Sequence, residues 1–294
     1  MRLDICMPYW GRADHLMIAV ESVLAQRDPR WTLTVIDDAY PDLTGGQWVA
    51  DLPDERVTYR RNAENLGVTG TFNLAIEAGD ANDVVIMGCD DVLGPEFVGT
   101  MLALREQFPT AAMLQPAVSV VDVDGAEHFP MADRIKARLR PRGDGPSLME
   151  PETLATSLMK GNWLYFPAIV WKRSSLAQVG FDSNYGIVQD LHAIMSLAFA
   201  GQSLAVTPEK VFAYRRHNES VSSAAGVDGE RFAEELQLFA WVAEQARQRG
   251  WRATDRAARR HITTRLHALA TVPTAIRARN GRGLVTLLGQ ALRR

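Results

Sequence analysis

Two pairs of adjacent aspartates each follow an apolar run: Asp37-Asp38 after Val35-Ile36, and Asp90-Asp91 after Val84-Val85-Ile86-Met87-Gly88-Cys89. Neighbouring carboxylates repel one another unless water, a donor or a cation serves them. At 37 and 38 a carboxylate can accept from a base N–H or a ribose hydroxyl. The same residues can instead cap the turn Asp37-Asp38-Ala39-Tyr40-Pro41-Asp42. At 90 and 91 the hard oxygens suit Mg²⁺ or Mn²⁺, which leave other positions to water and phosphate. A turn is the competing reading there too, but two acidic pairs at successive strand ends favour function. Met7-Pro8-Tyr9-Trp10-Gly11-Arg12 puts backbone amides and a ring where a base could stack, or is an ordinary strand-to-helix loop. Asp190 falls in the first turn of a helix carrying Ile194, Leu197 and Ala198, where the dipole favours an ionised carboxylate. It is an ionised site acid or an ordinary first-turn acid. His217 is a surface histidine or a site residue, and the small-residue loop Ser220 to Gly226 after it reads as a closing lid.

The elements that must position these residues alternate in kind. Leu3 to Met7, Leu33 to Ile36, Val57 to Arg60 and Val84 to Met87 read as strands, the first ended by Pro8. Leu16, Ala19, Val20, Val23 and Leu24 recur at helical spacing, and Thr71 to Ala78 reads as a helix ending at Gly79. Alternating strands and helices predict a mainly parallel sheet, whose ligands bind beyond the strands' carboxyl ends. Further on, Ala112 to Val123, Ala168 to Trp171 and Val211 to Tyr214 read as strands, with a turn at Asp124-Gly125, and Val188 to Ala200 as a helix. Arg134 to Gly145 reads as an exposed, mobile loop. From about Asp228 the pattern is helical, with Phe232, Leu236, Phe239, Ala240 and Ala243 as its apolar stripe.

The chain has 294 residues, enough for one large domain with an appendage. Its two cysteines, Cys6 and Cys89, predict no disulfide framework and a reducing cytosol. The run after Met1-Arg2-Leu3-Asp4 is too short for a signal core, and no apolar stretch approaches the roughly 20 residues that span a bilayer. The net charge of −3 hides an asymmetry: Arg247 to Arg294 holds twelve arginines and one acid, +11, against −14 for the remainder. Leu284, Leu287, Leu288, Ala291 and Leu292 share a helical face there. The tail therefore reads either as an amphipathic anchor on an anionic membrane surface or as helices packed on the domain or on a second subunit of a homodimer. With Trp251 as its one aromatic, it predicts no nucleic-acid partner. No Gly-x-Gly-x-x-Gly follows the first strand, against nicotinamide or S-adenosylmethionine chemistry. The Gly-rich, Lys-bearing loop of nucleotidyltransferases is missing as well.

In order, Pro8-Tyr9-Trp10-Gly11-Arg12, Ser22 to Gln26, Val35-Ile36-Asp37-Asp38, Arg61 to Gly67, Asn73-Leu74-Ala75, Cys89 to Pro95, Val179 to Asp182, Gln189 to His192 and Tyr214-Arg215-Arg216-His217 resemble family 2 glycosyltransferases of the GT-A fold. The resemblance implies an α/β, Rossmann-like catalytic domain over 1–226, its nucleotide half about 1–110 and acceptor half about 111–226. A basic helical C-terminal extension, 227–294, would follow. It implies an inverting enzyme that moves a sugar from a nucleotide-sugar donor, UDP- or dTDP-sugar favoured, to a saccharide or lipid-linked acceptor. The setting would be cell-surface glycan or glycolipid synthesis, in the cytoplasm or at the inner face of the plasma membrane. On the family pattern Pro8, Trp10 and Asp38 frame the nucleobase, Arg12, Arg61, Asn65 and Asp90 line the nucleotide, Asp91 and His217 hold Mn²⁺ or Mg²⁺, and Asp190 is the base. Cys89 stands where the pattern has an acid, Gly11 where it has Asn, Gln189 where it has Glu. A catalytically silent nucleotide-sugar-binding module is the alternative, with Cys89 as its best support.

Overall fold

A computed structural model describes residues 1–141, 143–216, 230–262, 264–265 and 272. The first half follows the alternating pattern: β1 (Leu3–Tyr9), α1 (Ala13–Leu24), β2 (Trp31–Asp37), α2 (Thr44–Ala50), β3 (Val57–Arg61), α3 (Gly67–Glu77) and β4 (Asp83–Ile86). Next come β5 (Val92–Leu93), α4 (Phe97–Gln107), β6 (Met113–Val121), α5 (Met131–Leu139), β7 (Ser147–Met149), α6 (Pro151–Lys160), β8 (Val170–Lys172), α7 (Arg173–Val179), α8 (Gln189–Phe199) and β9 (Leu204–Arg215). Two helices, α9 (Glu230–Gln248) and α10 (Arg252–Arg260), close the described chain.

The strands form one sheet in the order β3-β2-β1-β4-β8-β6-β9-β5, with β7 on β9. The first four are parallel, as helical crossovers require. Beyond them β8 runs antiparallel to β4 and β6, and β5 and β7 run antiparallel to β9, so the sheet is mixed there. Side chains alternate between two cores. Leu3, Ile5, Met7, Leu33, Val35 and Val85 pack on one face with α1 and α4; Cys6, Ile36, Val84 and Ile86 pack on the other with α3, α6 and α8. Leu238, Phe239, Val242 and Ala246 of α9 and Ala258 of α10 belong to this second core. Burial of a Leu, Val or Phe side chain contributes roughly 1.5–3 kcal/mol, so α9 is built into this core, with α10 joined to it through Ala258.

Several expectations shift for local reasons. β1 runs through Pro8 to Tyr9, because β4 pairs only as far as Cys6 and Pro8 lies past that last rung. α3 begins at Gly67 rather than Thr71, since Asp38 supplies its cap from another strand end. α9 buries Leu238, Val242 and Ala246 where Leu236 and Ala240 were expected; apolar residues occupy both phases and packing selects one. The loop expected over 134–145 is corrected in part, the described residues from 140 to 145 lying outside any helix or strand. Its first part is helix α5, held by a buried ion pair described below. Among the described residues no helix is long and apolar enough to cross a membrane.

Candidate active site

The carboxyl ends of β1, β2 and β3 lie in register, Tyr9 beside Asp37 and Asp37 beside Arg61. Past β1, Trp10 projects into solvent, 51% exposed, with its ring edge-on to Tyr40 at 5.3 Å. Tyr40 in turn meets buried Tyr9 at 5.5 Å. Together these rings make an open aromatic wall beside half-buried Pro8. Gly45 and Gly46 of α2 let it lie against the sheet, since a Cβ on either would collide with the hydroxyl of Tyr9 or Tyr59. Arg12 is exposed one step further along and forks onto Asp14, pulling that carboxyl down to about 2.

Asp37 and Asp38 are buried and their oxygens are occupied from within. Asp37 accepts from the Tyr40 amide at 2.8 Å, the Tyr59 hydroxyl at 2.6 Å and Arg61 Nη1 at 2.6 Å. Arg61 also donates to the Tyr40 carbonyl, which pins the guanidinium beneath the aromatic wall. Asp38 accepts from Asn62 Nδ2 at 2.8 Å and from the amides of Leu66 and Gly67 at 2.9 Å, so it caps α3. Asn65 is exposed in the same loop and also accepts from the Gly67 amide.

The second acidic pair differs. Oδ1 of Asp90 and Oδ2 of Asp91 each lie 2.7 Å from the point a Cβ on residue 88 would occupy. Only glycine leaves that hollow open, with the two carboxylates turned into it. Asp91 is 1% exposed, and its Oδ1 accepts from the Arg215 amide at 2.9 Å. Burial, and then the charge of Asp90, push its carboxyl well above the usual range. Hard oxygen donors on a shared hollow fit Mn²⁺ or Mg²⁺. Among the described residues no group of three or more His, Cys, Asp or Glu forms a complete cage, so phosphate and water would have to supply the rest. Cys89, where an acid was expected, lies 3.6 Å from the position of a Cβ on Gly11, and burial pushes its thiol up to about 12. It stays neutral and is a poor ligand for a hard cation.

Residues to which the sequence assigned no role act at this end of the sheet. Arg215, at the end of β9, donates to the carbonyls of Asp90, Asp122 and Val123, fastening the acidic loop to the turn after β6. Arg216 pairs with buried Asp133 through both Nε, 2.6 Å, and Nη2, 2.8 Å, while the Tyr165 hydroxyl donates to the same carboxylate at 2.7 Å. Burial opposes the charge on Asp133, but these donors prevail and lower its pKa. The Tyr-Arg-Arg-His run signalled the arginines; Asp133 carried no sequence signal, lying just before a stretch read as loop. His15 is half-buried in α1 within the field of Asp14, Arg215 and Asp90, and burial lowers its pKa.

Asp190 is half-buried in the first turn of α8. The segment leading to it is fastened at both ends. Asn73 of α3 exchanges two hydrogen bonds with the Phe181 backbone, and Glu234 of α9 accepts from the Ile187 amide at 2.7 Å. Gln189 turns inward, its amide on the Gly186 carbonyl. His217 and the loop from Ser220 to Gly226 lie outside the described residues, as does the leucine stripe of the tail. In the described part of the tail, Arg252, Arg256, Arg259 and Arg260 are exposed on α10, with Arg259 paired to Asp255.

Comparison with known proteins adds to this geometry. The family model described as glycosyl transferase family 2 matches residues 4–157. The succinoglycan biosynthesis protein ExoO of Rhizobium meliloti (strain 1021) is 28% identical over 220 residues, 74% of this chain and 62% of that protein. The putative colanic acid biosynthesis glycosyl transferase WcaA of Escherichia coli (strain K12) is 31% identical over 115 residues, 38% of this chain and 40% of that one. The chain thus spans less than two thirds of the length of these relatives. Among solved structures, S. aureus TarS 1-349 in complex with UDP-GlcNAc superimposes with a TM-score of 0.68 at 14% identity, covering 99% of this chain and 82% of that one. The mannosyltransferase PcManGT from Pyrobaculum calidifontis, in complex with GDP-Man and Mn²⁺, gives 0.65 at 16% identity, covering 99% and 86%. These likenesses establish the fold.

Proposed function

The chain belongs to glycosyl transferase family 2, and on that premise we propose that it is an inverting enzyme that moves a sugar from a nucleoside-diphosphate donor to an acceptor hydroxyl. The convergence of Asp90 and Asp91 over Gly88, on the rim that carries the aromatic wall, is the observation that supports the reading most. Trp10 and Tyr40 offer a stacking surface for the base, with Arg61 and Asn65 beside it on the nucleotide side. Asp91 and Asp90, with His217 from outside the described chain, would hold the cation. When bound, a divalent cation neutralises charge on the diphosphate. Asp190 takes the proton of the acceptor hydroxyl as that oxygen attacks the anomeric carbon. The bond from that carbon to the diphosphate breaks on the opposite face, so the configuration inverts. The relatives named for succinoglycan and colanic acid biosynthesis support an acceptor in polysaccharide assembly; a glycolipid acceptor and a setting at the inner face of the cytoplasmic membrane belong to the proposal alone.

A second reading, a silent nucleotide-sugar-binding module, is favoured by the neutral thiol of Cys89, which supplies no charge where an acid was expected. Turnover separates the two. A panel of UDP-, dTDP- and GDP-sugars with Mn²⁺ should reveal one donor that is slowly hydrolysed. Asp190→Asn should keep donor affinity while transfer and hydrolysis fall by about 10²–10⁴-fold. Donor binding without any turnover would favour the silent module, and unchanged turnover in Asp190→Asn would remove the base from the mechanism.

A further inference from the structure

Helix α5 is amphipathic in the inverse sense. The stripe of Asp133 and Lys136, continued by Arg140 just past the helix end, faces the domain. Asp133 binds Arg216 and Tyr165, Lys136 Nζ donates to the Leu164 carbonyl at 2.8 Å, and Arg140 Nη2 donates to the Thr207 carbonyl at 2.6 Å. The opposite stripe, Met131, Arg134, Ile135 and Arg138, follows the i, i+3, i+4, i+7 spacing of one helical face and is exposed throughout. Met131 is 68% exposed and Ile135 45%, and Phe129 extends the surface into the entry turn at 36%. Single exposed apolar residues are ordinary. Here the polar anchors dictate the rotation, because turning the helix to bury Met131 and Ile135 would break the Asp133–Arg216 pair. The domain holds the polar side and leaves the apolar, arginine-bearing side outward.

We propose that this face of α5 lies in the interface of an anionic phospholipid bilayer, Phe129, Met131 and Ile135 entering the headgroup boundary and Arg134 and Arg138 meeting lipid phosphates. Arg138 and Arg134 flank the apolar pair on one side of the exposed face, where their long stems can carry the charges to headgroup phosphates while the apolar side chains enter the boundary. Asp133, which would repel it, is buried and neutralised by Arg216; Glu127 and Asp124 remain in the neighbouring turn. Arg216 follows Arg215, whose amide donates to Asp91, so the contact would hold the acidic loop near the lipid surface. This surface is distinct from the arginine-rich tail, and its binding does not depend on turnover.

Co-sedimentation of the full chain with vesicles of phosphatidylcholine alone, and of phosphatidylcholine mixed with phosphatidylglycerol, tests the proposal. The wild-type chain should bind the mixed vesicles at low salt, release them at high salt and ignore the neutral ones. Met131→Asp with Ile135→Asp, and separately Arg134→Glu with Arg138→Glu, should each weaken binding roughly tenfold or more. All four side chains are exposed, and unchanged unfolding temperatures would show that the fold is kept; the arginine pair serves alone if the apolar pair perturbs it. Failure of the wild-type chain to bind, equal binding to neutral vesicles, or variants that bind like wild type would overturn the proposal. So would a wild-type dimer that dissociates in the Met131 and Ile135 variant without any vesicle binding.

Discussion

The two acidic pairs on the sheet's rim look alike in sequence and are opposites in the fold. Asp37 and Asp38 accept six donors between them, from Tyr40, Tyr59, Arg61, Asn62, Leu66 and Gly67. These bonds order the rim. Asp90 and Asp91 converge on one hollow, and Asp91 is driven upward by burial and by its neighbour. A buried carboxylate facing a like charge needs a proton or a cation. The same contrast extends to the sheet's other end, where Asp4 pairs with Arg173 and Asp83 with Arg105, each at about 2.6–2.7 Å. Acids at the strands' starts staple the domain, whereas the pair past β4 turns toward a shared hollow.

The sharpest test of this contrast is to remove one member of each rim pair. Asp91→Ala should lower metal-dependent transfer by about 10²-fold or more, the scale of lost charge stabilisation on the leaving group, with thermal stability kept. Asp37→Ala should do the reverse first, costing roughly 2–4 kcal/mol in denaturant unfolding because it strands Arg61 and two further donors. If Asp91→Ala unfolds the protein and Asp37→Ala does not, the division of labour is wrong. A smaller effect is expected from Gly88→Ala, whose new Cβ would sit 2.7 Å from both carboxylate oxygens and force them apart. Mn²⁺-dependent donor affinity in calorimetry should fall roughly tenfold, on the order of 1.4 kcal/mol. Gly11→Ala, which meets Cys89 Sγ at an ordinary 3.6 Å, is the control that should bind normally.

The smallest effect is one of pH. Asp91 is raised in the folded protein above its ordinary 3.8, so between that pH and its folded pKa the native state holds the extra proton. Metal-free stability should therefore decline as pH rises through that window. Asp91→Asn, which cannot ionise, should show no such decline, and its unfolding midpoint should rise above wild type toward neutral pH. Adding Mn²⁺ to the wild type should displace the proton and close the gap, more so at higher pH. Parallel pH profiles for the two proteins would mean that Asp91 is not the strained member of the pair.

Much of this molecule is written in local pattern. The period of Leu16, Ala19, Val20 and Val23 specifies α1, and the all-apolar strands ending in polar residues place the rim, because hydrophobic periodicity is read over a few consecutive residues. The ordered motifs likewise carry the family. What each acid does was decided elsewhere, since a carboxylate's role depends on donors that arrive from distant parts of the chain. Asp38 became a helix cap when β2 brought it to Leu66 and Gly67, and Arg215 reached the acidic loop only through the pairing of β9 with β5. Arg134 to Gly145 read as loop because basic residues, glycine and proline dominate it, yet Arg216 and Tyr165 captured Asp133 and drew α5 onto the domain with its polar side inward. Tertiary ion pairing set that helix's rotation against its own amphipathic pattern, since a buried carboxylate must find its partners before an exposed methionine finds cover.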